Sequence, residues 1–181
     1  MTLTLDWRPA LDHPDLLAAP TLAALTAWAA TAPQVADEVL VAQIDPDLAD
    51  TAALVTACGL DPDASVNCVL VAGKRGGVER LAAAMVRSTT RADVNHRIRT
   101  LLDVKKASFI PTDRAVADSG MEYGGITPIG LPEPYRILVD APVSTLNPIV
   151  IGSGVRRSKL QLPGSLLAAY PCAELVTDLA V

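Results

Sequence analysis

The stretch from Val66 to Arg87 dictates a β-hairpin. Val66–Ala72 is an apolar run of strand length, and Leu81–Arg87 is a second one. Between them stands Gly73-Lys74-Arg75-Gly76-Gly77, a glycine-rich turn. Apolar runs of this length separated by glycines read as antiparallel strands joined by a turn. The rest of the chain must build on that antiparallel pair. Further strands are expected at Val39–Ile44, Ala107–Ile110, Arg136–Asp140, Pro148–Ile151, Ser158–Leu162 and Glu174–Val176.

Helical patterns are scattered among these strands. Residues 21–31 place Leu22, Leu25 and Trp28 on one stripe. Asp50–Cys58 has an aspartate at its N-cap and Gly59 as its stop. Asp93 can cap a helix whose Val94, Ile98, Leu101 and Leu102 share a face. Thr112 can cap a brief helix ending at Gly120, and Pro163–Ala169 reads as a last helix. The regular strand–helix alternation of a doubly wound sheet is missing. The expected fold is a single α+β domain over 1–181. Its sheet is mixed, mostly antiparallel and barrel-like, with surrounding helices. Residues 1–60 form an acidic helical lead-in, and 61–181 form the core.

Composition narrows the function. The 181 residues are half apolar and 19% charged, which excludes a disordered chain. Six aromatic residues are too few for an extended single-strand stacking platform. The long Ala/Leu/Thr stretch after Asp15 carries Pro20 and Pro33 and reads as a core helix, not a membrane span. Residues 2–15 hold Asp6, Arg8, Asp12 and Asp15, unlike a signal peptide, so a cytoplasmic location is expected. Cys58, Cys68 and Cys172 lack ligand spacing, and His13 and His96 have no partner at a useful spacing. No metal, no cofactor and no Ser-His-Asp triad are expected, though His96 alone stays open as a base.

Charge is uneven within a net −5. Residues 1–65 carry ten acidic groups and one basic group; residues 66–181 carry fourteen basic and ten acidic groups. That split suits an anionic partner on the C-terminal part. A DNA duplex would need more cations, whereas a single nucleotide end fits.

Two glycine loops could carry chemistry. Gly124-Gly125-Ile126-Thr127-Pro128 could bring backbone N–H groups to a small polar ligand, or could be a tight connection. Gly152-Ser153-Gly154, followed by Arg156, Arg157 and Lys159, suits a phosphate or carboxylate, or is a strand-end bulge with solvated charges. Gly73-Lys74 fails as a phosphate-binding loop, because Cys68 and Arg75 stand where glycine and Ser/Thr are needed. Asp140, at a strand end, could anchor a loop or act as a base.

These pieces, in this order, resemble the YbaK/prolyl-tRNA synthetase editing-domain family of aminoacyl-tRNA deacylases. The likeness rests on Val66–Val71, Gly124–Pro128 with Ile129-Gly130-Leu131 after it, Ile137–Asp140 and Val150–Gly154. It implies a trans-acting hydrolase that deacylates mischarged aminoacyl-tRNA, assisted by the substrate's ribose hydroxyl and needing no metal. It implies that Gly124–Pro128 and Gly152–Gly154 line the catalytic site, with Ser153 donating a hydrogen bond. Asn67, Asp140, Arg156, Arg157 and Lys159 would bind the acceptor end, and a synthetase is a candidate partner. Asn67 stands where the family usually carries a lysine, which leaves a non-catalytic binder of a tRNA end as the alternative.

Overall fold

The computed structural model describes residues 2–181. Strand β1 (Arg8–Pro9) is followed by helices α1 (Ala19–Thr31) and α2 (Val35–Glu38) and by β2 (Leu40–Gln43). Helix α3 (Thr51–Cys58) leads into β3 (Val66–Arg75) and β4 (Val78–Arg87). A π-turn at Val94–Ile98 runs into α4 (Arg99–Leu101), followed by β5 (Ala107–Phe109) and α5 (Thr112–Ser119). The chain closes with β6 (Tyr135–Asp140), β7 (Ile149–Gly152), β8 (Ser158–Leu162), α6 (Gly164–Ala168) and β9 (Ala173–Val176).

The fold is α+β. One sheet has the order β1-β2-β8-β7 and is antiparallel throughout. The other has the order β5-β3-β4-β6-β9 and is mixed, with β6 parallel to both β4 and β9. A parallel bridge between Ser65 and Val150, with the Val150 N–H donating to the Ala64 carbonyl at 2.8 Å, joins β7 to the start of β3. The barrel-like sheet is therefore two sheets meeting along this seam.

The hairpin turn is shorter than expected. Its strands run on through Arg75 and from Val78, leaving only Gly76-Gly77, both at positive φ. Two consecutive positive φ angles match the right-handed strand twist, and glycine adopts them without steric cost. Thr112 is likewise the first helical residue, behind Pro111, and caps nothing with its side chain. The helix expected after Asp93 starts as a π-turn, although Asp93 does accept from the N–H groups of His96 and Arg97. At α3 the expected signals operate: Asp50 accepts from Ala52 and Ala53, and Gly59 takes the left-handed conformation.

The acidic lead-in is part of the core. Leu25 and Trp28 of α1 pack with Val41 of β2, Ile149 and Ile151 of β7, and Leu160 and Leu162 of β8. Trp28 meets Tyr170 edge to face, with ring centroids 5.0 Å apart. On α1 the fully buried stripe is Thr21, Leu25 and Trp28 rather than Leu22, Leu25 and Trp28. Strand β4 is covered on both faces: Ala82, Ala84 and Val86 meet Val94, Ile98 and Leu102, while Ala83 and Met85 face the other way. Its run of alanines keeps both faces flat enough for close layers. No helix among the described residues is long and apolar enough to cross a membrane.

Candidate functional site

A cavity of about 370 Å³ opens at the seam between the sheets. Its walls come from Ala49 to Leu54 at the start of α3, from Ser65 to Val69 on β3, and from Val150 to Gly152 on β7. The loop residues Tyr123, Gly124 and Ile126 form another side, and Arg156 and Lys159 complete the lining. Of the residues expected from sequence, the structure brings Asn67, Gly124, Ile126, Gly152, Arg156 and Lys159 to this cavity.

The two glycine loops meet backbone to backbone. The Gly154 N–H donates to the Gly125 carbonyl at 2.7 Å, and the Glu122 N–H donates to the Gly154 carbonyl at 2.8 Å. A Cβ on Gly152 would run into the Gly125 and Ile126 carbonyls, and one on Gly125 would run into the Val155 backbone. Close approach of main chain to main chain is what demands glycine here. Gly125, Thr127, Pro128, Ser153 and Gly154 thus stand behind the lining rather than in it. Ser153 is fully buried, and its hydroxyl bonds the Ser158 hydroxyl at 2.7 Å and the Ser158 carbonyl at 3.0 Å. That hydroxyl, expected to donate to a ligand, is bonded within the fold instead.

Asp140 and Arg157 also lie outside the cavity. The Asp140 carboxylate is 3% exposed and accepts from the Leu179 N–H at 3.2 Å. Burial raises its pKa, against the pull of that N–H. It ties β6 to the C-terminal segment. Arg157 donates to the Asp15 carbonyl at 2.5 Å, which turns it toward the N-terminal segment. His96 is absent from the cavity lining.

Lys159 is the unusual member. Register pairs it with Ala42 on one side and Gly152 on the other, so β8 carries it into the seam. It is only 6% exposed. Its Nζ donates to the Ala49 carbonyl at 2.9 Å and to the Gly124 carbonyl at 3.0 Å. Among the described residues no carboxylate lies within ion-pair distance of it. An ammonium has three donors, so one is left for a ligand. Burial pushes its pKa down to about 8, with Asp50 opposing that fall and Arg156 adding to it.

The neighbours of Lys159 are mostly neutral. Asn67 accepts from the Thr51 hydroxyl at 2.8 Å, and both residues line the cavity. Cys68 lines the cavity, but burial raises its thiol to about 12, so at neutral pH it is protonated and not a nucleophile. Asp50 is the carboxylate of the lining, and its Oδ1 caps α3. The arrangement can hold an anionic or polar group on a buried cation between backbone walls. The Cys68 thiol is not an activated nucleophile there.

Sequence reasoning missed Tyr123, which lines the rim, and the carbonyls of Ala49 and Gly124 that hold Lys159. An aromatic directly before the glycine loop was the signal for Tyr123. Nothing in the sequence pointed to the carbonyls.

Residues 45–169 match the family model of the aminoacyl-tRNA editing domain. Among solved structures, the hypothetical protein APE2540 superposes with a TM-score of 0.74 at 15% identity, covering 87% of this chain and 99% of its own. A candidate trans-editing enzyme for prolyl tRNA synthetase superposes with a TM-score of 0.70 at 15% identity, covering 89% and 97%. A scaffold protein from computational epitope grafting gives 0.70 at 16% identity, covering 88% and 97%. At such identities the likeness of the structures is one of fold.

Proposed function

Because this chain belongs to the aminoacyl-tRNA editing-domain family, we propose that it deacylates mischarged aminoacyl-tRNA in trans. The observation that carries this reading is Lys159, a buried cation with no carboxylate within ion-pair distance among the described residues, in a cavity lined in part by the glycine loop. Such a group is costly to keep unless a ligand uses it.

The need for such an enzyme is physical. One methylene in a synthetase pocket is worth only about 1–3 kcal/mol, so small amino acids are mischarged. A second site that sorts by shape removes them. Here the aminoacyl group would lie against the Gly124, Ile126 and Gly152 backbone. Lys159 and Arg156 would hold the terminal nucleotide, and Asn67 would contact its sugar. Lys159, reached from β8, would supply the charge that Asn67 does not.

Water would add to the ester carbon, and the bond from that carbon to the ribose oxygen would break. The neighbouring ribose hydroxyl would relay the proton to the leaving oxygen. This chain's residues would orient the ester and water; with Cys68 protonated and Ser153 spent, none is asked to be the nucleophile. A synthetase that delivers the charged tRNA is the natural partner.

Ester hydrolysis should be followed across a panel of correctly and wrongly charged tRNAs, including alanyl and cysteinyl esters on tRNA(Pro), against spontaneous loss. Selective turnover of one mischarged class is expected. No turnover by folded protein would overturn the enzyme reading. Retained RNA binding in that case would identify a non-catalytic binder of a tRNA end.

A further inference from the structure

We propose that Tyr123 and Arg156 form the platform on which the base of the 3′-terminal nucleotide stacks, which rests on the editing reading above. Phe109 and Tyr123 are the exposed members of the chain's six aromatics, and Tyr123 is the one at the cavity. Tyr123 is 62% exposed beside a cavity whose other lining residues include no aromatic. An aromatic held in water at such a place loses apolar burial for no gain in packing. A flat ligand would recover it.

The ring is held ready. The Gly125 N–H donates to the Glu122 carbonyl at 3.0 Å, closing a tight turn around Tyr123. The Glu122 N–H is bonded in turn to Gly154. The Arg156 guanidinium carbon sits 5.9 Å from the Tyr123 ring centroid, within cation–π range. Arg156 is itself fixed: its N–H donates to the Glu122 carboxylate at 2.6 Å, and its Nη1 to the Tyr123 carbonyl at 3.3 Å. Its guanidinium also occupies the space over Gly124 that a Cβ would fill, 2.9 Å from that position.

A ring and a planar cation, both tied to one loop, are a stacking surface with little entropy left to lose. Every base has a π-face, so such a surface reads a base without reading its identity. A base on Tyr123 would bring the rest of the nucleotide into the cavity beside Gly124. The carbonyl of Gly124 is one of the two that hold the Lys159 ammonium. The terminal nucleotide would then run from the rim toward the buried cation, with the ester on the Gly124, Ile126 and Gly152 backbone.

The test uses the full chain, Tyr123→Ala, Tyr123→Phe, and two uncharged acceptor minihelix RNAs. One RNA ends in adenosine and the other in an abasic ribose. Stacking by one base predicts about tenfold weaker binding of the adenosine RNA to Tyr123→Ala, with Tyr123→Phe within about twofold of wild type. On the abasic RNA the wild type should fall to the level of Tyr123→Ala, and the variant should lose nothing more. Equal loss on both RNAs, or none on either, would overturn the platform. Because the RNAs are uncharged, failure of hydrolysis leaves this measurement standing. With charged tRNA, Tyr123→Ala should raise KM more than it lowers kcat, since the ring is asked to hold the base and not the ester.

Discussion

Replacing Lys159 by Met should leave the protein at least as stable at neutral pH while removing its grip on RNA. The magnitude follows from burial. The lysine ammonium falls from 10.5 to about 8 in the fold. Each tenfold change in proton affinity is worth about 1.4 kcal/mol, so holding this group charged near pH 7 costs roughly 3 kcal/mol. Met keeps an apolar stem of similar length and carries no charge. Losing the hydrogen bonds to Ala49 and Gly124 offsets about 1–2 kcal/mol of the gain. The cavity is open, and water can bond those carbonyls in place of Nζ. The net expectation is a variant more stable by about 1–2 kcal/mol near pH 7, or a melting point several degrees higher.

The sign with pH is fixed by linkage. The unfolded chain binds this proton more tightly than the fold does, so the penalty is fully present below about pH 8. It fades as pH rises from about 8 toward the unfolded lysine value of 10.5. Urea unfolding of both proteins at intervals from about pH 7 to pH 10 should show the advantage of Met shrinking by about 2 kcal/mol. A Met variant that loses more than about 2 kcal/mol near pH 7, or a gap that stays flat with pH, would refute the reasoning. RNA binding by the wild type should weaken as pH rises through about 8, and Lys159→Met should be weak throughout.

Gly125→Ala should lower stability by about 2–3 kcal/mol, because its Cβ meets the fixed Val155 backbone; an unchanged thermal melt would count against the backbone-contact account of this glycine. Asp140→Ala should lose about 1–3 kcal/mol by leaving the buried Leu179 N–H unpaired, while KM and kcat of the folded protein stay at wild-type values; an activity loss beyond unfolding would return Asp140 to the site. Asn67→Lys should destabilise the fold by placing a second cation in the cavity of Lys159, and adding Lys159→Ser should restore both stability and RNA binding. If the double variant binds no better than Lys159→Ser alone, the two positions do not share one ligand.

Much of the architecture was legible because its signals are local. The hairpin from Val66, the capped helix at Asp50 with its glycine stop, and the strands at Ser158 and Arg136 each depend on residues within a few positions. What misled was also local reasoning. Thr112 looked like a cap, but Pro111 already holds the extended N-cap conformation. Gly73-Lys74-Arg75 looked like turn, yet cross-strand pairing carries the strand three residues further, through all of them. Leu22 looked fully buried by period and is half-buried against the core, while Thr21, packed against Gly130 and Gly154, is fully buried.

The residue types of the site, and the order of its pieces along the chain, belong to the sequence alone. They were enough for the α+β class, the family and the glycine loops, because strand and turn chemistry and motif order need no distances. The roles of those residues were decided by tertiary structure. Ser153 was assigned to a ligand and is bonded to Ser158; Asp140 was placed beside the loops and holds the C-terminal segment. Lys159 was grouped with two arginines as cations for the acceptor end and is buried between two carbonyls, with Arg157 turned away from it. The physical reason is common to all three. Whether a polar group faces a ligand depends on which partners reach it first. For these groups the partners are Ser158, Leu179, Ala49 and Gly124, and all but Ser158 are brought by elements more than thirty residues away.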